Sequence, residues 1–99
     1  MKTVTIKEFV EVAKENFVSV ESTDHYGISL DIPYAKVEYE PEFDELVFVA
    51  VDRETGKSES RTTYSVGECV LEIFYNDKYQ EYMIKFVGKV PDLIVKKIG

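Results

Sequence analysis

Apolar and polar positions along the chain change their spacing once, early. Ile6, Phe9, Val10, Ala13 and Phe17 recur at helical intervals, with Lys7, Glu8, Glu11, Lys14 and Glu15 between them. Thr5 followed by Glu8 reads as a capping box, in which hydroxyl and carboxylate each satisfy an orphan amide at a helix start. The pattern predicts an amphipathic helix of about three turns, one face for a sheet and one for water. Beyond it the period falls to two. Val18 to Ser22 and Gly27 to Ile32 read as short strands around a turn at Thr23, Asp24, His25 and Tyr26. Pro33 is expected to end the second, because proline cannot donate to a ladder.

Ala35 to Glu40 alternates, with Val37 and Tyr39 on one side and Lys36, Glu38 and Glu40 on the other. Pro41 then breaks the chain, and Glu42, Phe43 and Asp44 form a loop. Leu46 to Val51 is wholly apolar and reads as a strand near the middle of the sheet. Asp52 to Lys57 carries the letters of a hairpin turn, with Gly56 at the left-handed position. The return strand, Ser58 to Tyr64, is almost entirely polar and suits an edge.

Two segments carry alternatives. Ser65 and Glu68 fit the start of a helix burying Val66, Cys69, Val70, Ile73 and Phe74. Cys69 to Tyr75 fits equally a strand turning at Asn76, Asp77 and Lys78 into Tyr79 to Val87. Its β-branched and aromatic content favours the hairpin. Pro91 to Ile98 fits a short carboxy-terminal helix, with Pro91 and Asp92 near its start and Lys96 and Lys97 near its end. The β-branched Ile94 and Val95 leave a final strand as the alternative. The expected architecture is α+β over residues 1–99 as one domain. An amino-terminal helix packs on an antiparallel, meander-like sheet of five to seven strands.

Composition adds limits rather than a function. Seven Tyr and six Phe supply bulk for a core in 99 residues. Cys69 is the only cysteine, so an internal disulfide and a four-cysteine zinc site are excluded, and Val70 and Leu71 beside it suggest an apolar setting. No apolar run has the length of a membrane span and no signal-peptide pattern opens the sequence, so a cytoplasmic protein is expected.

The search for chemistry is largely negative. His25 is the only histidine, with Asp24 as its nearest orienting carboxylate, and both fall in an expected turn. Cys69 would need His25 beside it to act as a nucleophile. Asp24, His25 and Asp31 make a thin metal set, and Asp52, Glu54 and Gly56 resemble a calcium loop only as far as a hairpin turn does. No phosphate-cradling glycine loop is present. Two arginines in an acidic chain are a poor supply for direct nucleic-acid contacts. The expectation is a protein that is not an enzyme and carries no cofactor and no metal.

Charge is the informative feature. Nineteen acids oppose twelve Lys and Arg, for a net charge of −7. Nine of those acids lie between Glu15 and Glu45, against Lys36 alone, so that stretch carries −8 and the remainder +1. Its densest part runs Glu38-Tyr39-Glu40-Pro41-Glu42-Phe43-Asp44-Glu45. Carboxylates two apart on a strand sit about 6.6–7 Å apart, close to the phosphate spacing of a nucleic-acid strand. The bland reading is a solvated face that keeps the sheet soluble. The sharper one is a surface of Asp31, Glu38, Glu40, Glu42, Asp44 and Glu45, anchored by Tyr39 or Phe43, that engages a basic protein surface such as a nuclease groove. In size, charge and lack of catalytic groups the chain resembles small phage- or mobile-element-encoded inhibitors of host nucleases, anti-CRISPR proteins among them. No motif identifies a family. The contrasting expectation is an assembly protein that pairs into a homo-oligomer through the edge at Ser58 to Tyr64.

Overall fold

A computed structural model describes residues 1–23, 30–88 and 91–98. The described residues form eight antiparallel strands in one sheet and two short helices. The strands are β1 (Lys2–Val4), β2 (Val18–Ser22), β3 (Asp31–Glu40), β4 (Glu45–Val51), β5 (Ser58–Ser65), β6 (Val70–Asn76), β7 (Glu81–Phe86) and β8 (Leu93–Lys97), and the helices are α1 (Ile6–Ala13) and α2 (Val66–Cys69). The α+β class is as expected; the strand number is one above the expected range. β1 is a strand that the sequence pattern does not predict, since three residues are too short to display a period.

The order across the sheet is β1-β6-β7-β8-β2-β3-β4-β5. Two meanders, β2 to β5 and β6 to β8, join where β8 lies against β2, and β1 caps the outer side of β6. The sheet curls strongly. Tyr64 on β5 meets Phe86 on β7 at 4.7 Å between ring centroids, although four strands separate them in the sheet. α1 lies inside this curve. Phe9 is fully buried and packs edge-on to Tyr82 of β7 at 5.0 Å, and the core around it comprises Val20, Leu46, Phe48, Ile84 and Val95.

α1 begins as its capping box predicts. Thr5 Oγ1 accepts from the Glu8 amide at 3.1 Å, and Glu8 Oε1 accepts from the Thr5 amide at 3.3 Å. It ends sooner than the apolar spacing suggests, at Ala13 after about two turns. Asn16 explains the stop, because its side-chain amide donates to the Val12 carbonyl at 2.8 Å and its backbone amide to Ala13 at 3.2 Å. Phe17 therefore leaves the helical face. It crosses to the other side of the sheet and stacks on Tyr34 at 4.3 Å, against a second apolar cluster of Val47, Val49 and Val51.

Three further expectations are corrected. Pro33 does not end a strand: β3 runs through it for ten residues. The β2–β3 register shifts there, with Val18 opposite Ala35 and Val20 opposite Ile32, so Pro33 sits in a bulge where a missing donor costs no ladder bond. β4 is not central but lies next to the edge strand β5, and its apolar run reflects burial on both faces. Finally, residues 91–98 form no helix. β-branched Ile94 and Val95 lie in β8, which has a strand on either side, β7 and β2, and Pro91 and Asp92 stay outside it.

The ambiguous segment divides between its two readings. Val66–Cys69 makes a single helical turn with Ser65 as N-cap but no side-chain capping bond, and Val70–Asn76 then pairs with β7 as the expected hairpin. β5 is the edge strand that its polar sequence indicates. Among the described residues no helix is long and apolar enough to cross a membrane.

Candidate functional site

The acidic segment falls on the end of β3, the turn 41–44 and the start of β4. The ladder sets Glu38 opposite Val47 and Glu40 opposite Glu45. Strand alternation places Glu38, Glu40 and Glu45 on the outer side of the sheet, with Lys36 in the same row. Asp31 lies on β3 beyond the Pro33 bulge, paired with Glu21, and the stacked Phe17 and Tyr34 separate it from the rest. An unbroken row of carboxylates from Asp31 to Glu40 is thus not what forms. The acids gather at the hairpin end instead.

Within that group the side chains are not equivalent. Glu38 Oε1 accepts from Arg61 Nη2 of β5 at 3.0 Å, across the top of β4. Both partners are roughly half exposed, so the pair contributes at most about 1 kcal/mol while cancelling one charge. Glu40 Oε1 accepts from the Glu42 amide at 3.3 Å and thereby helps shape the turn. Glu42 is exposed, and Phe43 beside it is 65% exposed at the tip. Glu45 is half-buried at the start of β4.

Tyr39 and Asp44 form a unit of their own. Tyr39 alternates to the inner side, and its hydroxyl donates to Asp44 Oδ1 at 2.5 Å. That bond, with desolvation and the Asp44 charge behind it, holds the Tyr39 hydroxyl above its ordinary pKa. Asp44 has φ of 52°, a left-handed value that aspartate tolerates better than most residues. Its carbonyl accepts from the Val66 amide at 2.8 Å. Its Oδ2 would lie 3.2 Å from a Cβ built on Gly67, so the turn is packed against α2. Asp44 therefore works as a structural pin. Of the expected binding residues, Asp31, Glu38, Glu40, Glu42 and Phe43 are exposed and Glu45 is half-buried, Asp31 lies apart from the others, and Tyr39 and Asp44 brace the turn.

One feature beside this turn has no sequence signal. A groove of about 680 Å³ runs between α1 and β3, with Ile6, Val10, Val37, Tyr39 and Pro41 as its apolar lining and Lys7 at its margin. It lies where α1 packs against β3, a contact distant in sequence that no local pattern encodes. A smaller hollow of about 380 Å³, on the other flank of α1, is bounded by Val12, Tyr75, Gln80, Tyr82 and Lys97.

The remaining chemical candidates separate cleanly. His25 and Asp24 lie outside the described residues. Cys69 is half-buried at the end of α2 and packs on the core cluster. The turn 52–57 closes on itself: Asp52 Oδ1 accepts from the amides of Glu54 at 2.8 Å and Thr55 at 3.1 Å, and Gly56 takes φ of 75°. Those two amides, Thr55 foremost, hold the Asp52 carboxyl below the usual aspartate range. Among the described residues no group of three or more His, Cys, Asp or Glu is placed to hold a metal ion. Comparison with protein-family models, curated proteins and solved structures finds no match for the chain.

Proposed function

We propose that the chain is a non-catalytic binding module that presents the acidic β3–β4 end to a basic surface on another protein. The favoured version is an inhibitor that occupies a nucleic-acid-binding groove of its partner, in the manner of phage or mobile-element inhibitors of nucleases. The observation that carries the reading is the concentration of charge. Glu38, Glu40, Glu42 and Glu45 stand on one hairpin end braced by Asp44, and among the described residues Arg61 is the only cation paired with any of them. Such a patch steers a cationic partner from a distance and speeds encounter. Phe43, exposed at the tip, supplies the apolar anchor that charge alone lacks.

Phosphate mimicry in this reading rests on Glu38 and Glu40, two apart on one face of β3, with Glu42 continuing past the strand end. The rival reading is assembly through β5. Among the described residues β5 pairs with β4 on one side only. Against it, Val51 faces Ser58 while Ala50 faces Ser60, so Glu59 is an extra residue in a bulge, a device that blunts edge pairing.

The test is the association rate of the partner with the immobilised chain across a salt series, with and without a competing oligonucleotide. A rate that falls steeply with salt, and binding that the oligonucleotide displaces, support groove occupation. A salt-independent rate with no competition contradicts it.

A further inference from the structure

We propose that a second copy of this chain occupies the groove between α1 and β3, inserting Phe43 of its own β3–β4 turn and setting Glu42 against Lys7. The groove is an apolar concavity of about 680 Å³, floored by Ile6, Val10, Val37, Tyr39 and Pro41. That volume lies in the range of sites for small molecules, so it has ample room for one aromatic side chain. The molecule carries the matching plug. Phe43 is 65% exposed on a turn whose conformation is pinned by the Tyr39–Asp44 hydrogen bond and by the Val66 amide on the Asp44 carbonyl. A rigidly presented aromatic loses little freedom on binding.

Charge supplies the orientation. Three ionic side chains of α1 border the groove: Lys7, Glu11 and Lys14. Lys14 Nζ lies 3.4 Å from Glu11 Oε1, so these two are mutually compensated. Glu38, at the β3 side, is held by Arg61. Lys7 has no ion pair among the described residues and leaves a positive margin on an otherwise acidic end of the molecule. Glu42, next to Phe43, brings the complementary charge.

Position makes the contact reciprocal. Pro41 lines the groove and Phe43 is two residues further along the same turn. Plug and socket are therefore neighbours on one surface, so a two-fold axis can bring residue i of each copy to residue j of the other. One aromatic and one ion pair per copy make a small interface, below the roughly 1,200 Å² of stable complexes, so the association is weak and reversible. It goes beyond the binding reading above and uses part of the same turn, so a basic partner and the second copy exclude each other.

Sedimentation velocity of the purified chain, from about ten micromolar to about one millimolar, tests this directly. The native chain is expected to move from monomer to dimer over that range. Phe43→Ser removes a contact made twice, at roughly tenfold each, so the dissociation constant should rise roughly a hundredfold. Lys7→Glu should also weaken the dimer, and Lys7→Glu combined with Glu42→Lys should restore it. Phe43, Lys7 and Glu42 are all exposed, so the variants retain the fold, which circular dichroism verifies. A native chain that stays monomeric, a Phe43→Ser variant that dimerises like the native chain, or a charge swap that fails to restore association each overturns the proposal. Lys7→Glu leaves the acidic face intact, so its effect is separable from the binding of a basic partner.

Discussion

Replacing Phe9 by Ala should remove a large part of the stability of this fold. α1 has eight residues, too few to persist alone, so it exists because its inner face is buried. Phe9 is the largest side chain on that face and is completely buried, edge-on to Tyr82 at 5.0 Å. A phenylalanine buries about 150–250 Å², which at about 25 cal/mol per Å² corresponds to ~4–6 kcal/mol. The alanine keeps part of that area, while the cavity and the lost aromatic pair act the other way, leaving an expected loss of about 3–5 kcal/mol. A chain of this length has a total stability of ~5–15 kcal/mol. The midpoint of thermal unfolding should therefore drop by more than about 10 °C. Urea unfolding followed by far-ultraviolet circular dichroism measures the change. Phe9→Leu should lose about 1–2 kcal/mol. Val12→Ala, on the exposed side of α1, should stay within about 0.5 kcal/mol. A Phe9→Ala loss below about 1 kcal/mol would refute the placement of α1 as the inner wedge of the sheet.

Other perturbations give smaller, separable effects. Thr5→Ala breaks the capping box and should cost about 1 kcal/mol in the same unfolding assay, with Phe9 packing retained. Gly56→Val forces a β-branched residue to φ of 75° and should destabilise the 52–57 turn by about 1–2 kcal/mol. Alkaline stability should follow Tyr39, Tyr64 and Tyr82, whose hydroxyls ionise above the ordinary value of 10.0, through the Asp44 bond in Tyr39 and chiefly through burial in the other two. Their folded-state values are raised, so their contribution is complete below the unfolded value and is lost as pH climbs through the folded ones. Spectrophotometric titration should show one tyrosine ionising earlier in Asp44→Asn than in the native chain. Asp52 has the opposite sign: its folded value is lowered, so its contribution holds above the usual aspartate range and fades as pH falls through the folded value. Asp52→Ala should therefore flatten the acid limb of the stability profile.

What could be read from the chain was what local chemistry determines. Thr5 and Glu8 announce a helix start because both partners of the capping box lie within one turn, and Asp52 to Gly56 announce a turn for the same reason. The errors arise where a distant partner decides. Phe17 fits the helical period, but Asn16 ends α1 and the ring finds Tyr34 beneath the sheet. Pro33 looks terminal until the register shift against β2 accommodates it. Pro91 to Ile98 carries helical end signals, yet two flanking strands offer its backbone a ladder on both sides. The acidic patch was visible as charge but not as geometry. Arg61, twenty-three residues from Glu38, and the binding of Asp44 to Tyr39 emerge only from the strand pairing.

The acids of the β3–β4 end are proposed as a binding surface and not merely a soluble one. Capture from source-cell lysate on the native chain, beside a variant with Glu38, Glu40, Glu42 and Glu45 changed to Gln and the Asp44 pin left intact, tests that point. The expected result is a nucleic-acid-binding protein retained by the native chain, released at high salt and absent from the variant. The same partner on both chains would contradict the account and assign the charge to solubility.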